Sequence, residues 1–312
     1  MIIKVEDLVK RYGDLLALDH FSIEVKDGEI FGLLGPSGAG KSTVVQCILS
    51  VLKYDKGSVK IFGHNMAPNS FNIKRDIGVV MQDIAVFEEL TVYENIDYFC
   101  GLYIKEEEIR KALVWEALDF IGLKEVSNTS AARLNTSMLR RLHIACGIAH
   151  KPRLLILDEP LITLDTQTRN HILAGLLKRK EQGATIFYVS NRPEELETFC
   201  SQIAIMDKGK MIAIGSSQQL KELIGTGEKI QIQVSNMDMQ ILTILRENET
   251  TDYVNYTGKS LIIRSKKEVK NLSYVISLLE EYQVLYGNIT LTNPTLYEVF
   301  YEMTGRELKE HV

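Results

Sequence analysis

With 312 residues, 45 % of them hydrophobic and 25 % charged, the chain is long enough for a large domain plus a small one, and a sizeable core is expected. A net charge of −5 argues against a broad nucleic-acid footprint, which needs clustered Lys and Arg. The short runs Arg140-Arg141 and Lys178-Arg179-Lys180 read as solvated helix faces. Cys47, Cys100, Cys146 and Cys200 are far apart with no CxxC pair, so neither a zinc site nor a redox motif is indicated and a reducing cytoplasm fits. The N-terminus lacks the apolar core of a signal peptide, and no apolar run reaches the ~18 residues of a membrane helix. If the protein serves a membrane, another chain must cross it.

Along the chain, "IIKVEDL" and "HFSIEV" alternate as half-buried strands, and "GEIFGLLG" is a short apolar strand ending in glycine. It leads into "GPSGAGKSTVVQCILSVL", a glycine-rich turn followed by a helical pattern. Residues 91 to about 150 are mainly helical, with Ile109, Ala112, Leu113, Ala117, Phe120 and Ile121 near one stripe. Buried-strand runs recur at "LLILDEP" (154–160) and "ATIFYVS" (184–190). Apolar strands separated by helices indicate a parallel sheet covered on both faces.

A break near "LIGTGEK", with glycines at 225 and 227, opens a second region. Its pattern predicts strand 228–234, helix 237–247, strands 251–256 and 259–265, helix 268–282, strand 286–292 and helix 295–303. The order β-α-β-β-α-β favours a small split-βαβ, ferredoxin-like sandwich. The predicted domains are therefore 1–224, with a helical subdomain at about 91–150, and 225–312. No internal repeat joins them.

"GPSGAGKST" fits GxxxxGK[ST], with Gly35, Gly40, Lys41 and Ser42 in register. Across Gly35, Ser37, Gly38, Ala39, Gly40, Lys41, Ser42 and Thr43, backbone N–H groups can curve around an anion, aided by the helix dipole. Lys41 would reach the terminal phosphates of ATP and the Ser42 hydroxyl would hold Mg²⁺; the bland alternative is a glycine turn without nucleotide. Asp158, emerging from a buried strand, suits Mg²⁺, and Glu159 suits orientation or deprotonation of an attacking water. An acidic pair capping the next helix is the other reading.

Together these residues resemble the ATP-binding subunit of an ABC transporter, and the likeness runs from residue 2 to about 220. It implies a P-loop core with an antiparallel β subdomain and a helical subdomain, and it assigns further roles. Tyr12 would stack on adenine, unless it is a packed core tyrosine. Gln82, in "VVMQDIAVF", would touch Mg²⁺ or the water at the hinge to the helical subdomain, unless it is an ordinary loop amide. Leu164 and Asp165 match the loop that crosses a dimer interface, although a helix N-cap Asp would look the same. The tail "NPTLYEVFYEMTGREL" resembles the close of ABC-2 type drug and antibiotic exporters of the daunorubicin-resistance kind. There Leu296, Val299 and Phe300 would pack as a stripe and Gly305 would stop the helix.

Two stretches depart from that family's pattern. Leu134 stands 24 residues before Asp158, where Leu-Ser-Gly-Gly normally opens a helix and meets the γ-phosphate held by the opposite subunit. Here Asn135, Thr136 and Ser137 follow it. Side chains replace glycines whose φ freedom is worth ~1 kcal/mol or more, so the stretch is either a capped helix start or a weakened phosphate contact. In "TIFYVSNRPEE", Asn191 occupies the place of the family's histidine, and single donors at such sites are often worth ~10²–10³ in rate.

The resemblance implies an ATPase that couples ATP binding and hydrolysis to export of a drug-like compound or peptide through a separate transmembrane permease, with turnover slowed or partner-dependent at Asn135–Ser137 and Asn191. The chain would be cytoplasmic, held at the inner membrane face by that permease, as a homo- or heterodimer and without nucleic acid. An impaired nucleotide-sensing or regulatory subunit of a heteromeric complex is the alternative, because in a heterodimer each site would miss only one feature. A soluble ATPase acting on ribosomes or DNA is a third class, disfavoured because the chain has neither a second nucleotide domain nor a long inserted coiled coil.

Overall fold

The computed structural model describes residues 1–224, 226–235, 237–267 and 269–308. Gly225, cited above as the break, Glu268, the expected start of a helix, and the last four residues of the expected second domain lie outside the described residues. The described chain divides into two compact units, residues 1–217 with Leu308, and residues 218–307. The sequence placed its boundary a little further along, after residue 224.

In the first unit, β1 (Ile3–Tyr12) and β2 (Leu15–Val25) pair antiparallel around a turn in which Gly13 has φ +57°. β3 (Ile30–Leu34), buried along its whole length as its apolar run predicts, runs into α1 (Lys41–Ile48). β4 (Lys56–Ile61) and β5 (His64–Asn65) complete a four-stranded sheet in the order β2-β1-β4-β5. After α2 (Phe71–Lys74) and β6 (Ile77–Val80) come three helices, α3 (Val92–Gly101), α4 (Glu107–Phe120) and α5 (Thr136–Ile148). β7 (Leu154–Asp158), α6 (Thr166–Glu181), β8 (Thr185–Ser190), α7 (Pro193–Phe199), β9 (Gln202–Asp207) and β10 (Lys210–Gly215) follow; α8 (Ser217–Lys221) starts at the last residue of this stretch and otherwise belongs to the second unit.

The six-stranded sheet runs β10-β9-β3-β8-β7-β6, parallel except for the β9–β10 hairpin. Residues of β1, β2 and β4 share one core with β3, α1 and β7, including Ile3, Leu8, Phe21, Leu33, Val44 and Ile156. This packing fixes the C-terminal ends of β3, β6, β7 and β8 at one rim, where loops of a parallel sheet collect ligands.

Two sequence expectations are corrected here. In α4 the buried residues are Val114, Ala117 and Leu118, while Ile109 and Ala112 are exposed and Leu113 and Phe120 are half-buried. The stripe is rotated because α4 packs against α3 and α5, and tertiary contact decides which side of a broad apolar arc faces inward. Arg140 and Arg141 do not form a solvated face. Arg140 is 5 % exposed, and half-buried Arg141 donates from Nη1 to the Ile121 carbonyl at 3.0 Å.

The second unit carries β11 (Thr226–Ser235), α9 (Met239–Glu247), β12 (Thr251–Tyr256), β13 (Ser260–Lys266), α10 (Leu272–Glu281), β14 (Leu285–Thr292) and α11 (Leu296–Thr304). Its antiparallel sheet, ordered β12-β13-β11-β14, follows the β-α-β-β-α-β sequence expected of a split-βαβ sandwich. One face buries Ile230, Ile232, Leu261 and Ile263 against Ile241, Leu245, Val275 and Leu279 of α9 and α10. Leu296, Val299 and Phe300 of α11 are fully buried, and Gly305 ends that helix at φ +66°.

Candidate functional site

The loop between β3 and α1 has the geometry its glycines predict. Gly38 and Gly40 lie at φ +79° and +104°, conformations that other residues adopt only at a cost. A side chain at Gly35 would place its Cβ 2.5 Å from the Met206 carbonyl oxygen, and one at Gly40 would lie 2.7 Å from that of Ala17. The loop is thus wedged between β9 and the start of β2, with its N–H groups at the mouth of α1. Ser37, Gly38, Gly40, Lys41, Ser42 and Thr43 line a cavity of about 480 Å³. Tyr12, Gln82 and Glu159 reach its walls, together with Leu15, Leu16, Ala17, Lys208 and Gly209. Ala39 is buried beneath the loop.

Lys41 is 5 % exposed. Its Nζ donates to the carbonyls of Gly35 at 2.8 Å and Pro36 at 3.0 Å and lies 3.3 Å from Glu159 Oε1. Burial lowers the Lys41 ammonium below its usual range, and the nearby Glu159 carboxylate opposes that shift. The lysine therefore sits ready to exchange weak carbonyl acceptors for anionic oxygens, which bind an ammonium more strongly.

Asp158 ends β7 completely buried, and neither of its carboxylate oxygens has a hydrogen-bond partner. Burial raises its pKa above the usual carboxylate value, while the Ser42 hydroxyl, facing it outside strict hydrogen-bond geometry, pulls the other way. An orphaned buried carboxylate beside a hydroxyl fits a hard cation that favours oxygen ligands. Among the described residues no group of three or more His, Cys, Asp or Glu could enclose a metal.

Glu159 is 7 % exposed and its Oε2 is unpartnered. Its backbone sits at φ +47°, a strain of ~1–3 kcal/mol of the kind concentrated at functional sites. A hydrogen bond from its N–H to the Val189 carbonyl at 2.9 Å ties it to β8. Gln82 projects from the loop after β6, and Arg140 donates to the preceding Met81 carbonyl at 3.4 Å. Arg140 of α5 was missed as a site neighbour because its spacing alone cannot tell a buried arginine from a solvated one.

Asn135 is the N-cap of α5, its side-chain oxygen accepting from the Met138 N–H at 2.9 Å. Thr136 and Ser137 are helical, and none of the three has positive φ. Loss of glycine thus costs no backbone strain here; only side-chain bulk is added. Asn135 and Thr136 are exposed and Ser137 is half-buried. Leu164 is buried, and exposed Asp165 caps α6 by accepting from the Thr168 N–H at 2.9 Å. Asn191 follows β8 half-buried and is not among the residues lining the cavity. Exposed Tyr12, at the end of β1, carries the Lys10 ammonium 5.1 Å from its ring centre.

A glycine-rich phosphate loop with its lysine, and an acidic pair at the end of a parallel strand one removed in the same sheet, define a P-loop nucleotide-binding fold. The ABC transporter family profile matches residues 18–162. The linearmycin resistance ATP-binding protein LnrL of Bacillus subtilis is 32 % identical over 313 residues, covering 99 % of this chain and 100 % of its own length. The daunorubicin resistance ATP-binding protein DrrA3 of Streptomyces coeruleorubidus is 29 % identical over 310 residues, 99 % of this chain and 98 % of its own. Among solved structures, a dimeric ATP-binding cassette in a post-hydrolysis state bound to ADP and Pi matches with a TM-score of 0.64 and 26 % identity, covering 69 % of this chain and 98 % of that one. The chain belongs to the ATP-binding subunits of ABC transporters, nucleotide-binding ATPases that dimerise and work with separate membrane permease subunits. Among its described residues no helix is long and apolar enough to cross a membrane.

Proposed function

We propose that this chain hydrolyses Mg-ATP at the rim of the six-stranded sheet and couples the reaction to a separate permease that exports a drug-like compound or peptide. The observation that carries the reading is the meeting of Lys41 and Glu159, 3.3 Å apart, over a loop shaped for phosphate and in front of the unpartnered Asp158. The names of the linearmycin and daunorubicin resistance relatives support the exported class.

Loop N–H groups from Gly38 to Thr43 cradle the phosphates, Lys41 reaches the terminal one, and Tyr12 stacks on adenine. Ser42 and Asp158 would hold Mg²⁺, with Gln82 beside it. When bound, that ion supplies charge neutralisation on the phosphate oxygens. Glu159 directs its free Oε2 towards the attacking water and takes up its proton as the bond to the leaving phosphate oxygen breaks. Asn191 donates its neutral amide to the terminal phosphate, a weaker contribution than an imidazole gives. The N–H groups of Thr136 and Ser137, in the first turn of α5, serve the nucleotide of the opposite subunit, and Leu164 and Asp165 stand at that interface. The first domain, 1–224, works as the motor and 225–312 as an accessory module, and the assembly sits at the cytoplasmic face of the membrane through its permease.

Phosphate release by the purified chain with Mg-ATP, measured beside ATP binding, tests this. Lys41→Ala should lose both, whereas Glu159→Gln should keep binding and lose release. Release that persists in both variants would refute the assignment.

A further inference from the structure

A buried polar group outside the phosphate cavity connects two loops of the site. Glu195, on α7, is 8 % exposed and Tyr188, on β8, is 0 % exposed. The Tyr188 hydroxyl donates to Glu195 Oε2 at 2.8 Å, and the Ser190 hydroxyl donates to the same oxygen at 3.1 Å. The other oxygen, Oε1, lies 3.3 Å from Nε of Arg169 on α6, a charge contact without strict hydrogen-bond alignment. Burying a carboxylate is expensive unless it is paired and hydrogen-bonded, so Glu195 holds all three partners in place.

Each partner leads to a different loop. Arg169 Nη2 donates to the Leu164 carbonyl at 3.0 Å, in the loop that follows the acidic pair. Ser190 Oγ accepts from the Arg192 N–H at 3.0 Å, closing a turn around Asn191 between them. One carboxylate therefore ties the Leu164–Asp165 loop to the backbone on both sides of Asn191.

The geometry points to Glu195 and Arg169 as a positioning clamp that couples the Leu164–Asp165 loop to the Asn191 turn and so sets how the Asn191 amide meets the terminal phosphate. This rests on the assignment of Asn191 to that phosphate. Neither clamp residue touches nucleotide. A change in how the opposite subunit presses on Leu164 and Asp165 would be passed through the Arg169 guanidinium and the Glu195 carboxylate to Ser190. Hydrolysis, rather than ATP binding, is the step it governs.

The test is a kinetic cycle on the full chain, following single-turnover phosphate release with Mg-ATP and ATP binding by equilibrium dialysis. Glu195→Gln keeps an oxygen for Tyr188 and Ser190 but removes the charge facing Arg169. It should lower the rate about tenfold while KM and Kd stay within about twofold. Arg169→Met should do the same, and Arg169→Lys should recover part of the loss. Asn191→Ala should itself be slow, and adding Glu195→Gln to it should have no further effect, because both act through one amide. Effects that multiply in the double variant, or an unchanged rate in Glu195→Gln with slow Asn191→Ala, overturn the clamp alone. A wild-type rate in Asn191→Ala overturns the Asn191 assignment and the clamp with it. If Glu195→Gln does not fold, Arg169→Met in the Asn191→Ala background reads the same coupling.

Discussion

Replacing Asp158 by asparagine should make the nucleotide-free protein more stable while abolishing its response to Mg-ATP. The carboxylate is completely buried and neither oxygen accepts a hydrogen bond. Such a group is left unsatisfied at a cost of ~1–3 kcal/mol, more when it is charged. Around it stand one cation, Lys41, and two further anions, Glu159 and the more weakly acting Asp83, with Lys41 and Glu159 3.3 Å apart. Removing the Asp158 charge leaves the Lys41–Glu159 pair matched and lifts a repulsion from Asp83, so the gain should fall near ~1–3 kcal/mol. In a unit built mainly from residues 1–217, where 1 kcal/mol moves Tm by about 2–4 °C, the rise should be roughly 2–12 °C. The pH dependence has a definite sign. Because burial lifts Asp158 above its ordinary 3.8, the folded state keeps its proton to higher pH than the unfolded chain, and stability falls as pH rises through that window. The advantage of the asparagine variant is therefore complete above the raised value and disappears as pH drops to the ordinary one. Thermal unfolding by circular dichroism from pH 4 to 8, with and without Mg-ATP, measures both effects. Saturating ligand at 100 times Kd adds ~2.7 kcal/mol to a protein that binds it, and only the wild type should show this. An asparagine variant that melts at or below the wild type at neutral pH, or gains equally from Mg-ATP, would refute the reasoning.

Gly40→Ala should abolish ATP binding in equilibrium dialysis, since a Cβ at φ +104° would also lie 2.7 Å from the Ala17 carbonyl oxygen and must displace the loop. Asn135→Ala removes the cap on the Met138 N–H and should cost ~1 kcal/mol, seen as a lower melting temperature with unchanged ATP binding. Asn191→His should raise phosphate release by ~10-fold or more if the neutral amide is the weaker donor; an unchanged rate would show that the amide is not limiting.

Much of the candidate site was legible because its parts are local in the chain. The phosphate loop needs only glycines, a lysine and a hydroxyl in register between a strand and a helix, all within residues 30–48. Capping is equally local: Asn135 and Asp165 each accept from an N–H three residues on, so the helix start that the sequence kept as one reading of each needed no tertiary information. The order of elements in residues 226–304 was legible for the same reason, because strand alternation, helical stripes and Gly305 are short-range signals.

What remained hidden depends on which strands become neighbours. Lys208 and Gly209 reach the cavity at the glycine-rich loop only because β9 pairs with β3, and Leu15 to Ala17 only because the first sheet shares a core with the loop's strand. Arg140 looked solvated until α5 packed it against the loop after β6. The left-handed backbone of Glu159 and the Glu195–Arg169 pair are likewise products of β7, β8, α6 and α7 meeting at one rim. Composition and short-range pattern thus determined the fold class, the phosphate loop and the acidic pair by themselves. Burial of charges and the exact reach of each side chain were decided by tertiary packing, because desolvation and hydrogen-bond partners exist only once distant segments have come together.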